Sequence, residues 1–167
     1  MSNASSSLPS QPGSIPLATE ADVVVIGAGP GGFSAALRAA REGVSVVVVE
    51  KYDMPGGVHT SGLQGAVNTG VGGIHTELME RFEREGAIYT VTENELYGWA
   101  GNPISHYDWY LPPGSHFSRS SFNPDAAGNI MSRMLEEAGV KCFYGASFTD
   151  VTLEGSGDQR SIREVII

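Results

Sequence analysis

The sequence predicts an α/β fold: a parallel sheet with helices packed on it, and an antiparallel β-hairpin or meander at its C-terminal end. Three observations predict it. A strand-like segment at residues 21–26, apolar throughout from Val23, enters a glycine turn at 27–32 and leaves as an alanine-rich helix. A second apolar run follows that helix and ends in Glu50, the spacing of a strand–helix–strand crossover between parallel strands. Residues 123–139 then carry a helix start, an apolar stripe and a stop, with short strand-like runs behind them.

Residues 1–19 are rich in Ser and Pro, have no periodicity, and read as a flexible leader; residues 20–167 read as one domain. Ala21–Ile26 lacks polar alternation, which predicts a strand buried on both faces of a parallel sheet. In Gly27-Ala28-Gly29-Pro30-Gly31-Gly32 the glycines match G-x-G-x-x-G. Gly27 permits the tight turn, Gly29 lets backbone approach a pyrophosphate, and Gly32 lets the helix pack on the strand. The helix continues through Phe33–Arg41, with small Ala35, Ala36, Ala39 and Ala40, and stops at Gly43. Val44–Glu50 is the second strand. Glu50 stands at about the spacing expected of the acid that accepts hydrogen bonds from ribose hydroxyls. A lone glycine motif is weak and is often a turn that binds nothing. Here the strand, helix and terminal acid are all present, and together they form the unit that holds the adenosine diphosphate half of a dinucleotide.

The next stretch, 56–70, is too rich in glycine for an ordinary helix and reads as irregular backbone laid along a ligand. Gly72–Gly86 reads as a helix with Ile74, Leu78 and Phe82 on one face. Its Glu77, Glu80, Arg81, Glu83, Arg84 and Glu85 read as a solvated face. Residues 87–122 interleave Tyr, Trp and Phe with Gly, Pro, Ser and His and form an irregular insertion: a substrate lid, part of a second domain, or a packed loop. His106, His116 and Arg119 in it read as surface or hydrogen-bonding residues. Asn123 then caps a helix with Pro124 at its first position, Ile130, Met131, Met134, Leu135 and Ala138 as its stripe, and Gly139 as its stop. Val140–Tyr144 reads as a strand, and 147–153 with 162–167 as a hairpin.

The formal net charge is −9 and Lys and Arg are scattered, which argues against a phosphate-tracking nucleic-acid surface. An acidic chain still binds a pyrophosphate through backbone N–H groups at a helix N-terminus. With one cysteine, Cys142, neither an internal disulfide nor a cysteine zinc site forms, and no metal is expected; Cys142 reads as a small buried residue. No apolar run reaches the ~20 residues of a membrane span. No basic segment precedes an apolar one at the start, so a cytoplasmic location is expected.

The pattern Asp22-Val-Val-Val-Ile-Gly-Ala-Gly-Pro-Gly-Gly32, a small-residue helix, Arg41-Glu-Gly-Val with Val46–Glu50, and then Gly56-Gly57 resembles the two-dinucleotide-binding-domain flavoproteins of the glutathione-reductase-like fold. The block from Phe122 to Val140 and the strands after it look like a later part of the FAD-dependent oxidoreductase group. The resemblance implies a Rossmann-like FAD/NAD(P)-binding domain and FAD as the cofactor. It implies that Gly27, Ala28, Gly29, Pro30, Gly31 and Gly32 hold the pyrophosphate and that Glu50 binds the adenosine ribose, with Lys51 beside it. Gly56, Gly57, Val58, His59 and Thr60 would line the ribityl and isoalloxazine region, and Phe148 is the candidate neighbour of adenine. His59-Thr60 with Gln64-Gly65 and Asn68 also resembles succinate dehydrogenase and fumarate reductase flavoprotein subunits, in which the histidine bonds covalently to flavin. Those proteins lack the preceding Gly-Gly, and a non-covalent polar contact is the alternative. No constellation names a catalytic acid or base. The late Gly-Asp segment and the substrate domain of full-length relatives are not recognisable. The expectation is therefore an FAD-dependent oxidoreductase or its N-terminal part, completed by further chain or a partner subunit. The alternatives are a non-catalytic nucleotide-binding fragment, an NAD-binding protein, or a thiazole-synthase-like protein.

Overall fold

The computed structural model describes residues 16–67, 72–89 and 120–167. In chain order the elements are β1 (Val23–Ile26), α1 (Pro30–Arg41), β2 (Val46–Glu50), a 3-10 turn (Gly57–His59), β3 (Ala66–Val67), α2 (Ile74–Arg84), β4 (Ile88–Tyr89), β5 (Ser120–Phe122), α3 (Pro124–Glu137), β6 (Lys141–Tyr144), β7 (Asp150–Glu154) and β8 (Ser161–Ile166). The first strand–helix–strand unit and the capped helix stand where the sequence puts them. The first helix starts earlier than expected, at Pro30, so the last glycines of the turn form its first turn.

The central sheet has the order β1-β2-β6 and is parallel throughout. Val25 pairs with Val48, and Val48 with Cys142. On that face α1 buries Phe33, Ala36 and Leu37, and α3 buries Ala127, Ile130, Met131, Met134 and Leu135; with Met79 and Phe82 of α2 they make one core cluster. Each large apolar side chain buried there contributes about 1.5–3 kcal/mol. Cys142 is half-buried against this cluster, and burial pushes its thiol above the ordinary value.

The expectation of two buried faces fails for β1, whereas β2 is buried throughout. Val47 and Val49 of β2 are 5% and 2% exposed, whereas their register partners Val24 and Ile26 are 37% and 48% exposed. The two strands differ in position: β2 is flanked on both sides, while β1, like β6, is an edge strand among the described residues. An apolar run reports the propensity to be buried, not the number of neighbours that bury it.

A small antiparallel sheet, β3-β5-β4, links the glycine-rich stretch to the residues before α3. It went unrecognised in the sequence because its strands are two or three residues long. The C-terminal hairpin forms as expected, β7 against β8, with a register shift between Thr152 and Leu153. Residues 1–15, 68–71 and 90–119 lie outside the described residues, and with them most of the leader and the aromatic insertion, including His106, His116 and Arg119.

The charged side of α2 is less solvated than its pattern suggests. Both oxygens of Glu77 accept from the Arg41 guanidinium of α1 at 2.7 Å, and Arg81 bonds Glu137 of α3 at 2.7 Å. Arg133 of α3 pairs with Glu85. These pairs tie three helices together, and the Arg41 hydrogen bonds hold the Glu77 carboxyl below its usual range. Glu80, Glu83 and Arg84 remain exposed.

Candidate functional site

The glycine turn is stitched to the ends of both neighbouring segments. Gly27 adopts φ +89°, and its N–H donates to the Val49 carbonyl at 2.7 Å. Ala28 is fully buried; its N–H donates to Glu50 Oε2 at 2.6 Å and its carbonyl accepts from Gly56 N–H at 2.7 Å. Glu50 is itself 4% exposed, and its second oxygen accepts from Tyr52 N–H at 2.9 Å. The acid at the end of β2 therefore also braces the turn.

In front of this turn is the start of α1. Gly29 is its N-cap, extended at φ −60° and ψ −179°, with no side-chain cap and no acidic residue in the first turn. Pro30 at the first position has no N–H to satisfy. The N–H groups of Gly31 and Gly32 have no intrahelical acceptor, and the helix dipole adds to their positive end. A Cβ built on Gly29 or Gly31 meets nothing within 4 Å, whereas one on Gly32 would overlap the Gly27 carbonyl. Gly32 is thus needed for packing. Gly29 and Gly31 leave a cradle with unspent donors, which fits a diphosphate.

The loop after Gly56 closes against this cradle. A Cβ on Gly57 would come within 3.0 Å of Gly29 Cα, so the loop backbone lies directly on the turn. Backbone bonds hold the loop, among them Gly62 N–H to Gly57 O at 2.9 Å, Leu63 N–H to Thr60 O at 2.8 Å, and Gln64 N–H to Val58 O at 3.0 Å. Thr60 points inward, 1% exposed, and its hydroxyl donates to Pro55 O at 2.6 Å. Val58 is half exposed. The His59 ring meets Phe122 edge-on, with centroids 6.1 Å apart.

His59 also lines a small, mostly apolar cavity of about 90 Å³ together with Phe33, Ile74, His75, Leu78 and Phe82. His75 was not singled out by sequence reasoning, because one histidine in an amphipathic helix carries no signal. Burial, helped by the charge of nearby His59, pushes the His75 imidazole below its ordinary value and favours the neutral ring. Tyr144 is a second residue the sequence did not flag. It pairs in register with Glu50, and burial pushes its phenol up to about 12.

The remaining predicted residues are Lys51 and Phe148. Gly145 N–H donates to Tyr52 O at 3.0 Å and Ala146 N–H to Glu50 O at 3.1 Å, which fastens the segment leading to Phe148 beside the end of β2. Phe148 is about half exposed. Lys51 is exposed, with its Nζ 4.7 Å from the Tyr52 ring centroid. Among the described residues no group of three or more His, Cys, Asp or Glu is placed to hold a metal, and no helix is long and apolar enough to cross a membrane.

The fold and the cradle point to one cofactor class, and comparison with known proteins decides it. The model of the FAD dependent oxidoreductase family matches residues 22–167. The chain belongs to this family. FAD is its cofactor. The Escherichia coli (strain K12) protein named probable electron transfer flavoprotein-quinone oxidoreductase YgcN is 28% identical over 145 residues, which are 83% of this chain and 31% of that protein. A soluble pyridine nucleotide transhydrogenase of Mycobacterium bovis (strain BCG / Pasteur 1173P2) is 41% identical over 81 residues, 47% of this chain and 14% of that one. The chain thus spans a third or less of these relatives. Among solved structures, L-amino acid deaminase from Proteus vulgaris superposes with a TM-score of 0.55 at 20% identity, covering 93% of this chain and 45% of that one. Thermovibrio ammonificans THI4 does so with 0.53 at 19%, covering 87% and 46%. At these identities both report the fold.

Proposed function

We propose that this chain is the FAD-gripping part of a flavin oxidoreductase that transfers hydride or electrons to or from a small molecule. The observation that carries the reading is the uncapped start of α1, with open space before Gly29 and Gly31 and the Glu50 carboxylate bonded to Ala28 N–H beside it. Gly27–Gly32 hold the pyrophosphate. Glu50 uses its remaining lone pairs for the ribose hydroxyls, and the segment fastened at Ala146 brings Phe148 toward adenine. Lys51 stays at the rim. Gly56, Gly57, Val58 and His59 line the path to the ring, while Thr60 acts by holding the loop from within. Bound FAD supplies the two-electron chemistry; the protein supplies position, desolvation and electrostatics. His59 meets the flavin end without a covalent bond, its ring held against Phe122 and the apolar cavity. Turnover belongs to the site as completed by residues outside the matched third of the relatives.

Titration of the purified chain with FAD, followed by calorimetry and flavin fluorescence, tests the reading. Saturable binding of one FAD per chain, a higher Tm, and competition by ADP but not by nicotinamide mononucleotide are expected. Absence of FAD binding, or preference for NAD, overturns it. Flavin released on acid denaturation is expected; flavin that stays with the His59 peptide would establish the covalent bond instead.

A further inference from the structure

His75, in the first turn of α2, sits where a charge finds no partner. Its Nε2 is buried and has no hydrogen-bond partner among the described residues. The ring lines the cavity of about 90 Å³ that it shares with His59. To the same lining α1 brings Pro30, Phe33 and Ser34, β5 brings Phe122 and α3 brings Met131, while the rest of what α2 adds is apolar. Among the described residues, His59 is therefore the one other titratable side chain of this cavity, and no carboxylate stands in it. The acids of α2 are placed elsewhere. Glu77 takes the Arg41 guanidinium on both oxygens, and Glu80 and Glu83 are exposed. Of the acids at the helix ends, Glu137 pairs with Arg81 and Glu85 with Arg133. A buried charge without a counter-charge or a hydrogen bond is costly. Burial and then the charge of His59 keep the His75 ring below its ordinary value.

We infer that α2 and the His59 loop meet through an acid-sensitive contact, in which the neutral His75 ring packs into their shared cavity and a proton on it loosens α2 from the loop. The contact belongs to the ligand-free fold. His59 comes from the loop that lies on the glycine turn, where a Cβ on Gly57 would come within 3.0 Å of Gly29 Cα, so the contact backs that turn. None of the ion-paired side chains that tie α2 to α1 and α3 lines the cavity. Their acids keep their charge in mild acid, because Arg41 holds the Glu77 carboxyl and Arg81 the Glu137 carboxyl below the usual range. The imidazole side of α2 is then where a proton acts. The sign follows from linkage. The unfolded chain takes a proton at His75 near the ordinary histidine value of about 6.5, and the folded chain takes it only at lower pH. The contribution of the contact is whole above that value and is lost as the pH falls from it toward the folded-state value.

The full chain, without ligand, is followed between about pH 7.5 and about pH 5.5. His75→Leu and His75→Gln both remove the titrating group, the first with an apolar side chain and the second with a polar one, so that the test survives if one of them does not fold. The parent is expected to lose Tm across this window, and each variant to lose about 3 °C less than the parent does. A merely structural role for His75 would lower Tm at both pH values alike and leave the slope unchanged. In a proton NMR titration of the parent, the His75 ring signal, assigned by its absence from the variants, is expected to have its midpoint below about 6.5. His59→Gln is expected to raise that midpoint by removing the neighbouring charge. A His75 midpoint at or above about 6.5 overturns the inference, as does a midpoint that His59→Gln leaves unmoved. Variants that lose as much Tm as the parent across the window overturn it too.

Discussion

Helices α1 and α3 begin with the same device and finish it differently. Both place proline at the first helical position, Pro30 and Pro124, where its missing N–H costs nothing. In α3 the preceding residue is Asn123, whose Oδ1 accepts from Asp125 N–H at 2.9 Å and Ala126 N–H at 3.1 Å. That helix satisfies its own start. In α1 the preceding residue is Gly29, which has no side chain to offer, and a Cβ built on it or on Gly31 meets nothing within 4 Å. The difference shows how a structural helix start and a binding helix start are told apart: by whether the protein uses up its own amide donors. The chain supplies no side-chain cap to α1, which on the function proposed above leaves that place to the pyrophosphate.

The comparison breaks most sharply if α1 is made to resemble α3. Gly29→Asp places a carboxylate at the N-cap, where a Cβ finds no obstruction and from which an acid accepts from the second and third helical amides, those of Gly31 and Gly32. FAD affinity is expected to fall at least about 100-fold, the loss of an anion site to an internal anion, while ligand-free Tm stays level or rises through the new cap. Calorimetric titration alongside thermal melting checks both halves. A variant that still binds FAD tightly would mean that the start of α1 is not the phosphate site.

Removing the brace behind the turn comes next. Glu50→Ala deprives Ala28 N–H and Tyr52 N–H of their acceptor in a nearly closed environment. A stability loss of about 1–3 kcal/mol follows from the unsatisfied donors. Affinity for FAD is expected to drop about tenfold or more through the lost ribose contact. Urea melts and FAD titration separate the two, and unaltered affinity would show that Glu50 serves the turn and not the ligand.

The smallest effect belongs to the helix that is complete. Asn123→Ala is expected to lower stability by about 1 kcal/mol and to leave FAD affinity where it was, because its donors never face the ligand. A change in FAD affinity as large as that from Glu50→Ala would erase the distinction between the two helix starts.

Much of this was legible from local sequence, for a physical reason. Turn and cap chemistry is decided by residues within a few positions of each other, so the tight turn at Gly27, the cap at Asn123 and the acid ending β2 can all be read from the chain alone. The apolar run of β1 was legible as a strand, but its exposure was not. Nothing in Val23–Ile26 states that β2 has a neighbour on each side and β1 has one. Thr60 illustrates the same limit at the site. As a small polar residue in a glycine-rich loop it reads as a ligand contact, yet its hydroxyl is bonded inward to Pro55. Glu77 and Arg81 read as solvent-facing charges because the pattern of one helix does not include Arg41 or Glu137 on two others.

By itself, then, the sequence determined that a strand, glycine turn, helix and second strand ending in an acid would form in this order, since those features depend on backbone sterics and near neighbours. The tertiary structure decided what the cradle is made of in space. It turned the Glu50 carboxylate onto Ala28 N–H, laid Gly57 against Gly29, left the donors of α1 unspent and brought His59 and His75 to one cavity. Each of these joins segments separated along the chain or depends on what surrounds them, and packing, not local propensity, settles such contacts.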